Sequence, residues 1–116
     1  MSPSLPPIDL SKVPDFRIGK LTLRPSLLTV RSSDDEQVIQ RLLMQFLIAL
    51  VQAEGEVVSR QEFGVRCWNN PGVSIASLNR AASEVRKILD GAGSTVEIVS
   101  IRGVGYRLVD PDREIK

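Results

Sequence analysis

The stretch VEIVSIRGVGYRLV, residues 96–109, decides how this chain is read. Two apolar-rich runs flank Arg102, Gly103, Val104 and Gly105, the pattern of a β-hairpin with a cation at its tip. A hairpin that only closes a core is served by a tight, neutral turn. This one is shaped to approach something negatively charged. Glycines let the backbone turn sharply and come close to a surface. Arg102 adds five donors on a narrow stem. Tyr106 is expected in the core, its ring against the first or third helix.

Immediately upstream, SIASLNRAASEVRKILDGAG (74–93) has helical periodicity. Ser74 can cap it, and Gly91 or Gly93 can stop it. At 100° per residue, Leu78, Ala82, Val85 and Leu89 form one narrow stripe that must face the core. The opposite stripe holds Ala76, Arg80, Ser83 and Lys87, flanked by Asn79 and Arg86 on one side and Glu84 on the other. It is polar, cationic and low in relief along its centre, as suits a helix lying in a groove. Glu84 is expected to pair within the helix, with Arg80 or Lys87.

Further back, SRQEFGVRCW (59–68) opens with Ser59 and Glu62 in capping-box spacing and reads as a short helix ending near Trp68. Asn69, Asn70 and Pro71 then read as a connector; a partner-contact loop is the sharper alternative. RLLMQFLIALVQAEG (41–55) is the strongest helix, apolar nearly all round except for a strip of Arg41, Gln45 and Gln52, and so central to the core. Gly55 is expected to cap its end. FRIGKLTLRP, LLTVRS and QVIQ read as three or four short antiparallel strands, with Leu21 and Leu23 inward. Residues 1–15, rich in proline and serine, read as a flexible arm. The folded domain then covers 16–109, and 110–116 reads as a linker or the end of an excised piece.

The totals bound the function. The chain has 116 residues, enough for one domain with a modest core. Net charge is +1, so any affinity for a polyanion must come from the placement of charge. Histidine is absent, which removes the commonest general base and metal ligand. The single Cys67 builds neither a disulfide nor a cysteine-rich metal site, and is read as a small buried thiol in a reducing, cytoplasmic setting. No cofactor, metal or enzymatic activity is expected, and Ser59 and Ser74 are read as caps rather than nucleophiles. The longest apolar run, LLMQFLIALV, is about half the roughly 20 residues that span a bilayer.

Short helix, loop, longer helix and hairpin follow in winged-helix order. GEVVSRQEFGVRCW, VSIASLNRAASEVRKIL and IVSIRGVGYRL together resemble the DNA-binding domain of OmpR/PhoB-type transcription regulators, over roughly residues 16–109. The early start of the domain and the Ser83–Lys87 segment SEVRK resemble the CadC/ToxR-like branch of one-component regulators. There the DNA-binding domain comes first, and many members continue into a linker, a membrane span and a sensor domain. Where the family often begins its first long helix with Pro or Thr, this chain has Arg41. Many receiver-linked members carry more arginine on the third helix, where this chain has Ser83 and Glu84.

The resemblance implies an α+β fold: a winged helix-turn-helix with an N-terminal small antiparallel sheet, three helices and a C-terminal β-hairpin wing. It implies sequence-specific binding to double-stranded DNA, with a recognition helix at about 74–90 in the major groove and a wing at 98–108 on the minor groove and backbone. Arg80, Ser83 and Lys87 would lead into the groove. Asn79 could read adenine and Arg80 guanine by two-point hydrogen bonds, and Glu84, if it does not pair within the helix, could accept from a cytosine amino group. Arg86, Ser100 and Arg102 would hold phosphate or enter the minor groove. Tandem half-sites bound by two copies, and RNA polymerase at Asn69, Asn70 and Pro71, are the implied partners. The alternatives are a solvated cationic face with ordinary hairpin glycines, and a protein-interaction winged helix without DNA binding, for which the near-zero net charge and Glu84 speak.

Overall fold

A computed structural model describes residues 6–110. Four short strands come first: β1 (Phe16–Ile18), β2 (Leu21–Arg24), β3 (Thr29–Arg31) and β4 (Glu36–Val38), in the order β1-β2-β3-β4. All pairings are antiparallel, with Phe16 opposite Leu23, Leu23 opposite Val30, and Val30 opposite Gln37. The alternation in β2 works as expected: Leu21 and Leu23 are fully buried and Thr22 and Arg24 are not.

Helix α1 (Arg41–Gln52) is the central pillar. Its residues from Leu43 to Leu50 are buried apart from half-buried Gln45. The helix ends earlier than expected: Ala53 takes the cap position, and Glu54 and Gly55 follow with positive φ of 53° and 91°. Strand β5 (Val58–Ser59) leads into α2 (Arg60–Phe63), where Ser59 accepts a hydrogen bond from the Glu62 amide at 3.1 Å. The chain then continues as one π-helical turn, Gly64–Trp68, rather than as one uniform helix to Trp68. Phe63, Gly64 and Arg66 are turned inward by it.

Helix α3 (Ile75–Gly91) is capped by Ser74, whose side chain accepts from the Ser77 amide at 3.0 Å. Leu78, Ala82, Val85 and Leu89 are all at most 3% exposed, so the expected stripe is the buried one, widened by Ala81. Strands β6 (Glu97–Ile101) and β7 (Gly105–Val109) form the hairpin, and β7 also pairs with β5, giving a second sheet in the order β5-β7-β6. The core centres on Phe46 of α1 stacked on Phe63 of α2 at 4.4 Å between ring centroids. Tyr106 of β7 meets both rings edge-on, at 6.0 and 6.3 Å. The wing is thereby pinned to the pillar.

The N-terminal segment departs from the expected arm. Within residues 6–15, Ile8 and Leu10 are core residues at 7% and 2% exposure. The polar strip on α1 is what receives them: Gln45 Nε2 donates to the Ile8 carbonyl at 3.1 Å. Arg66 braces the same segment, donating to the Pro6 carbonyl at 3.2 Å and to Gln52 Oε1 at 2.6 Å. The Ile8 amide donates to the Arg66 carbonyl at 3.0 Å. Residues 1–5 of the expected arm, and 111–116 of the expected linker, lie outside the described residues. No helix among the described residues is long and apolar enough to cross a membrane.

Candidate nucleic-acid interface

Burying the stripe through Leu78 and Val85 leaves the opposite side of α3 open. Asn79, Arg80, Ser83, Glu84 and Lys87 are exposed there. The hairpin turn stands beside the first half of this helix. It is closed by the Val104 amide donating to the Ile101 carbonyl at 2.9 Å, and Arg102, Gly103 and Val104 project into solvent. Gly103 takes a φ of +77°, a conformation that side chains with a Cβ resist. Gly105 serves a different purpose. A Cβ there would collide with the Val58 carbonyl oxygen and sit 3.0 Å from Ser59 Cα, so only glycine lets β7 approach β5 this closely.

A groove of about 350 Å³ runs between the start of α3 and the hairpin, with Ile75 and Asn79 on one wall and Ser100, Arg102 and Val104 on the other. On the far slope of α3, Arg80 lines a second concavity of about 550 Å³ with Trp68, Leu42 and Glu84. Helical geometry places Ser83 and Lys87 on the crest between the two slopes. The exposed face of α3 and the hairpin tip therefore border one open side of the molecule.

Four expected site residues keep their polar groups free. Arg80, Ser83, Lys87 and Arg102 are exposed, and none has an ion pair or side-chain hydrogen bond among the described residues. The expected pairing of Glu84 with Arg80 or Lys87 does not form; Lys12–Asp9 and Arg24–Asp15 are ion pairs, both in the N-terminal part. An exposed i,i+3 or i,i+4 pair gains only a few tenths of a kcal/mol, about what it costs to order two long side chains. Ser100 is exposed on β6 and lines the groove.

Two of the expected site residues are partly engaged within the fold. Arg86 keeps Nη1 as a donor, while its other groups are held by the wing. Its Nε and Nη2 both donate to the Ile98 carbonyl, at 3.1 and 2.9 Å, and its guanidinium lies 5.6 Å from the centre of the Tyr106 ring. It braces α3 against the wing. Asn79 is exposed, but its Oδ1 accepts a hydrogen bond from the Tyr106 hydroxyl. Two-point reading of adenine needs both Oδ1 and Nδ2. Asn79 keeps its Nδ2 donors and the second lone pair of Oδ1, so a base would share that oxygen with Tyr106.

Two residues at this face were not singled out from the sequence. Arg60, at the start of α2, lines the groove; its Nη1 donates to the Val73 carbonyl at 3.4 Å and its amide donates to the Val104 carbonyl at 3.2 Å. The cap at Ser59 locates Arg60 at a helix start, but only the long-range β5–β7 pairing brings it to the wing. Ile75 is the other, 60% exposed on the first turn of α3. Asn69, Asn70 and Pro71 are exposed in a tight connector. Asn69 has a φ of +52°, and Asn70 Oδ1 accepts from the Gly72 amide at 2.9 Å.

Cys67 is half-buried, and desolvation pushes its thiol up to about 12. A thiol held neutral is a poor nucleophile and metal ligand. Among the described residues, no three His, Cys, Asp or Glu side chains come together as a metal site.

Three helices, an N-terminal sheet and a hairpin lodged beside the third helix define a winged helix-turn-helix domain. The chain belongs to the family described as "Transcriptional regulatory protein, C terminal", which matches residues 35–108. It is 28% identical over 100 residues, 84% of its length, to the transcriptional activator CadC of Escherichia coli strain K12, and covers 20% of that protein. It is 30% identical over 108 residues, 81% of its length, to the regulatory protein VanRB of Enterococcus faecalis strain V583, and covers 41% of it. The chain thus spans well under half the length of either relative. Its structure matches the DNA-binding domain of E. coli CadC with a TM-score of 0.73 and 28% identity, over 82% of this chain and 91% of that one. The DNA-binding domain of the response regulator AdeR, solved with an intercistronic region, has the same fold at a TM-score of 0.70 and 20% identity, over 83% of this chain and all of that one.

Proposed function

We propose that this chain binds duplex DNA in a sequence-dependent manner to control transcription, with α3 in the major groove and the β6–β7 turn on the adjacent minor groove and backbone. The observation that carries this reading is the set of uncommitted cations, Arg80, Lys87 and Arg102, bordering one open side. The backbone strand that separates the two grooves would cross the saddle between α3 and the wing. That saddle is lined by Arg60, Ser100 and Arg102 and by no carboxylate. Phosphate contacts from these groups would set the register, and Arg80 and Lys87 would meet base edges. The family membership supports this reading.

Two copies on tandem half-sites, a polymerase contact at Asn69, Asn70 and Pro71, and a cytoplasmic setting complete the proposal. The exposure of that connector supports the second point. The test is a mobility-shift titration over increasing salt, on duplexes enriched by the chain from a randomised library. Arg102→Ala should weaken every duplex and flatten the salt dependence by about one counterion. Arg80→Ala should change preference among sequences by about 1–3 kcal/mol for each lost base contact. If both variants bind as the parent does, this surface is not the DNA-binding face. Binding that is indifferent to salt would instead favour a protein partner.

A further inference from the structure

Ile75 is unexplained by folding. It opens α3, a position where an acidic residue, proline or a strong helix former gives the local benefit, and where a β-branched aliphatic side chain gives none. The core does not use it, since 60% of it is exposed. It lies instead on the wall of the groove that Arg60 and Arg102 make cationic, one helical turn before Asn79.

Resting on the DNA-binding reading above, we infer that Ile75 is a specificity residue that packs against the 5-methyl group of a thymine. The N-terminal residues of a recognition helix are among those that contact base edges. The edges displayed in the major groove are polar except for one group, the thymine methyl. An exposed branched aliphatic side chain has no other complement there. The cationic rim fixes the occupant as a phosphate-bearing strand, and the apolar wall selects the base. Val104, 49% exposed at the hairpin tip, cannot take this role, because the wing faces the minor groove and the methyl does not.

The test uses duplexes enriched by the parent chain from a randomised library, resynthesised with each thymine replaced in turn by deoxyuridine, which lacks only that methyl. The parent should bind about fourfold more weakly at one or two positions, the value of burying one methyl group. Ile75→Ala should bind thymine and uracil duplexes alike at those positions. Val104→Ala should keep the discrimination. Both sites are exposed, so neither truncation opens a hole in the core. If the parent binds thymine and uracil alike at every position, or Ile75→Ala retains the difference, the contact is refuted and the DNA-binding reading survives. A library yielding no enriched duplex refutes that reading, and this inference with it.

Discussion

Replacing Gly105 by alanine isolates the junction on which the wing depends. The added Cβ would collide with the Val58 carbonyl oxygen and sit 2.9 Å from its carbonyl carbon and 3.0 Å from Ser59 Cα. Each contact is with backbone, so no side-chain rotation relieves it. Strand β7 must move off β5, and the pairing there is only two residues long, Val58 with Tyr106 and Ser59 with Gly105. Overpacking of this kind costs about 1–3 kcal/mol, and each backbone hydrogen bond lost adds about 1 kcal/mol. The sum is about 3 kcal/mol, a substantial share of a stability of roughly 5–15 kcal/mol. For a domain of this size it lowers Tm by roughly 10–20 °C. Gly103→Ala is the control. A Cβ there meets nothing within 4 Å, and only the φ of +77° opposes it, at about 1–2 kcal/mol. Urea titration followed by circular dichroism and the fluorescence of the single Trp68 measures both. A Gly105→Ala variant within 0.5 kcal/mol of the parent, or a Gly103→Ala variant that is the worse of the two, would refute the reasoning.

Arg86→Met removes both donors to the Ile98 carbonyl and should lower stability by about 2 kcal/mol in urea while leaving the salt slope of DNA binding unchanged; a slope reduced by one at unchanged stability would make Arg86 a phosphate ligand after all. Ser74→Ala leaves the Ser77 amide without its cap and should cost about 1 kcal/mol, most of which Ser74→Asp restores, as read by thermal melting. The Cys67 thiol should resist iodoacetamide at pH 8 in the folded chain and react readily in urea. Its folded value of about 12 lies above the free value of 9.0, so its contribution to stability is complete below pH 9 and declines as pH rises from 9 toward 12. Equal alkylation rates with and without urea would refute its protection.

Local physics was legible in the sequence wherever it was sufficient. The stripe of Leu78, Ala82, Val85 and Leu89, the caps at Ser59 and Ser74, the alternation in β2 and the hairpin are each set by neighbours within a few positions. Residues joined by distant chemistry were not legible. Ile8 and Leu10 sit among prolines with no period to mark them as core; their burial depends on Gln45, 37 positions away from Ile8, and on Arg66, 60 positions away from Pro6. Periodicity places Arg86 on the flank of α3 but cannot show that the Ile98 carbonyl lies within its reach. Asn79 likewise reads as a free amide until Tyr106, 27 positions on, is brought beside it.

The same sorting explains how a chain of net charge +1 can present a surface for a polyanion. Four arginines are engaged by carbonyl oxygens: Arg60 by Val73, Arg66 by Pro6, Arg86 by Ile98 and Arg107 by Gly55. A carbonyl takes up an arginine's donors without cancelling its charge, so Arg60 and Arg86 still contribute positive potential beside α3. Asp9 and Asp15 are paired with Lys12 and Arg24 in the N-terminal part, away from α3. What remains exposed at the α3–wing side includes Arg80, Lys87 and Arg102, with Glu84 an opposing charge amid the helix face and Asp90 another near the helix end. Because Glu84 pairs with neither cation, it is free to meet the ligand as well. Near phosphate it repels; opposite a cytosine amino group it accepts. Glu84→Gln therefore separates two roles that total charge cannot. If Glu84 only repels, affinity rises for every duplex and most at low salt. If it accepts from cytosine, affinity falls for duplexes carrying that base at one position and rises for the rest. A variant indistinguishable from the parent on all duplexes would place Glu84 outside the contact and confine the reading surface to the wing-side flank of α3.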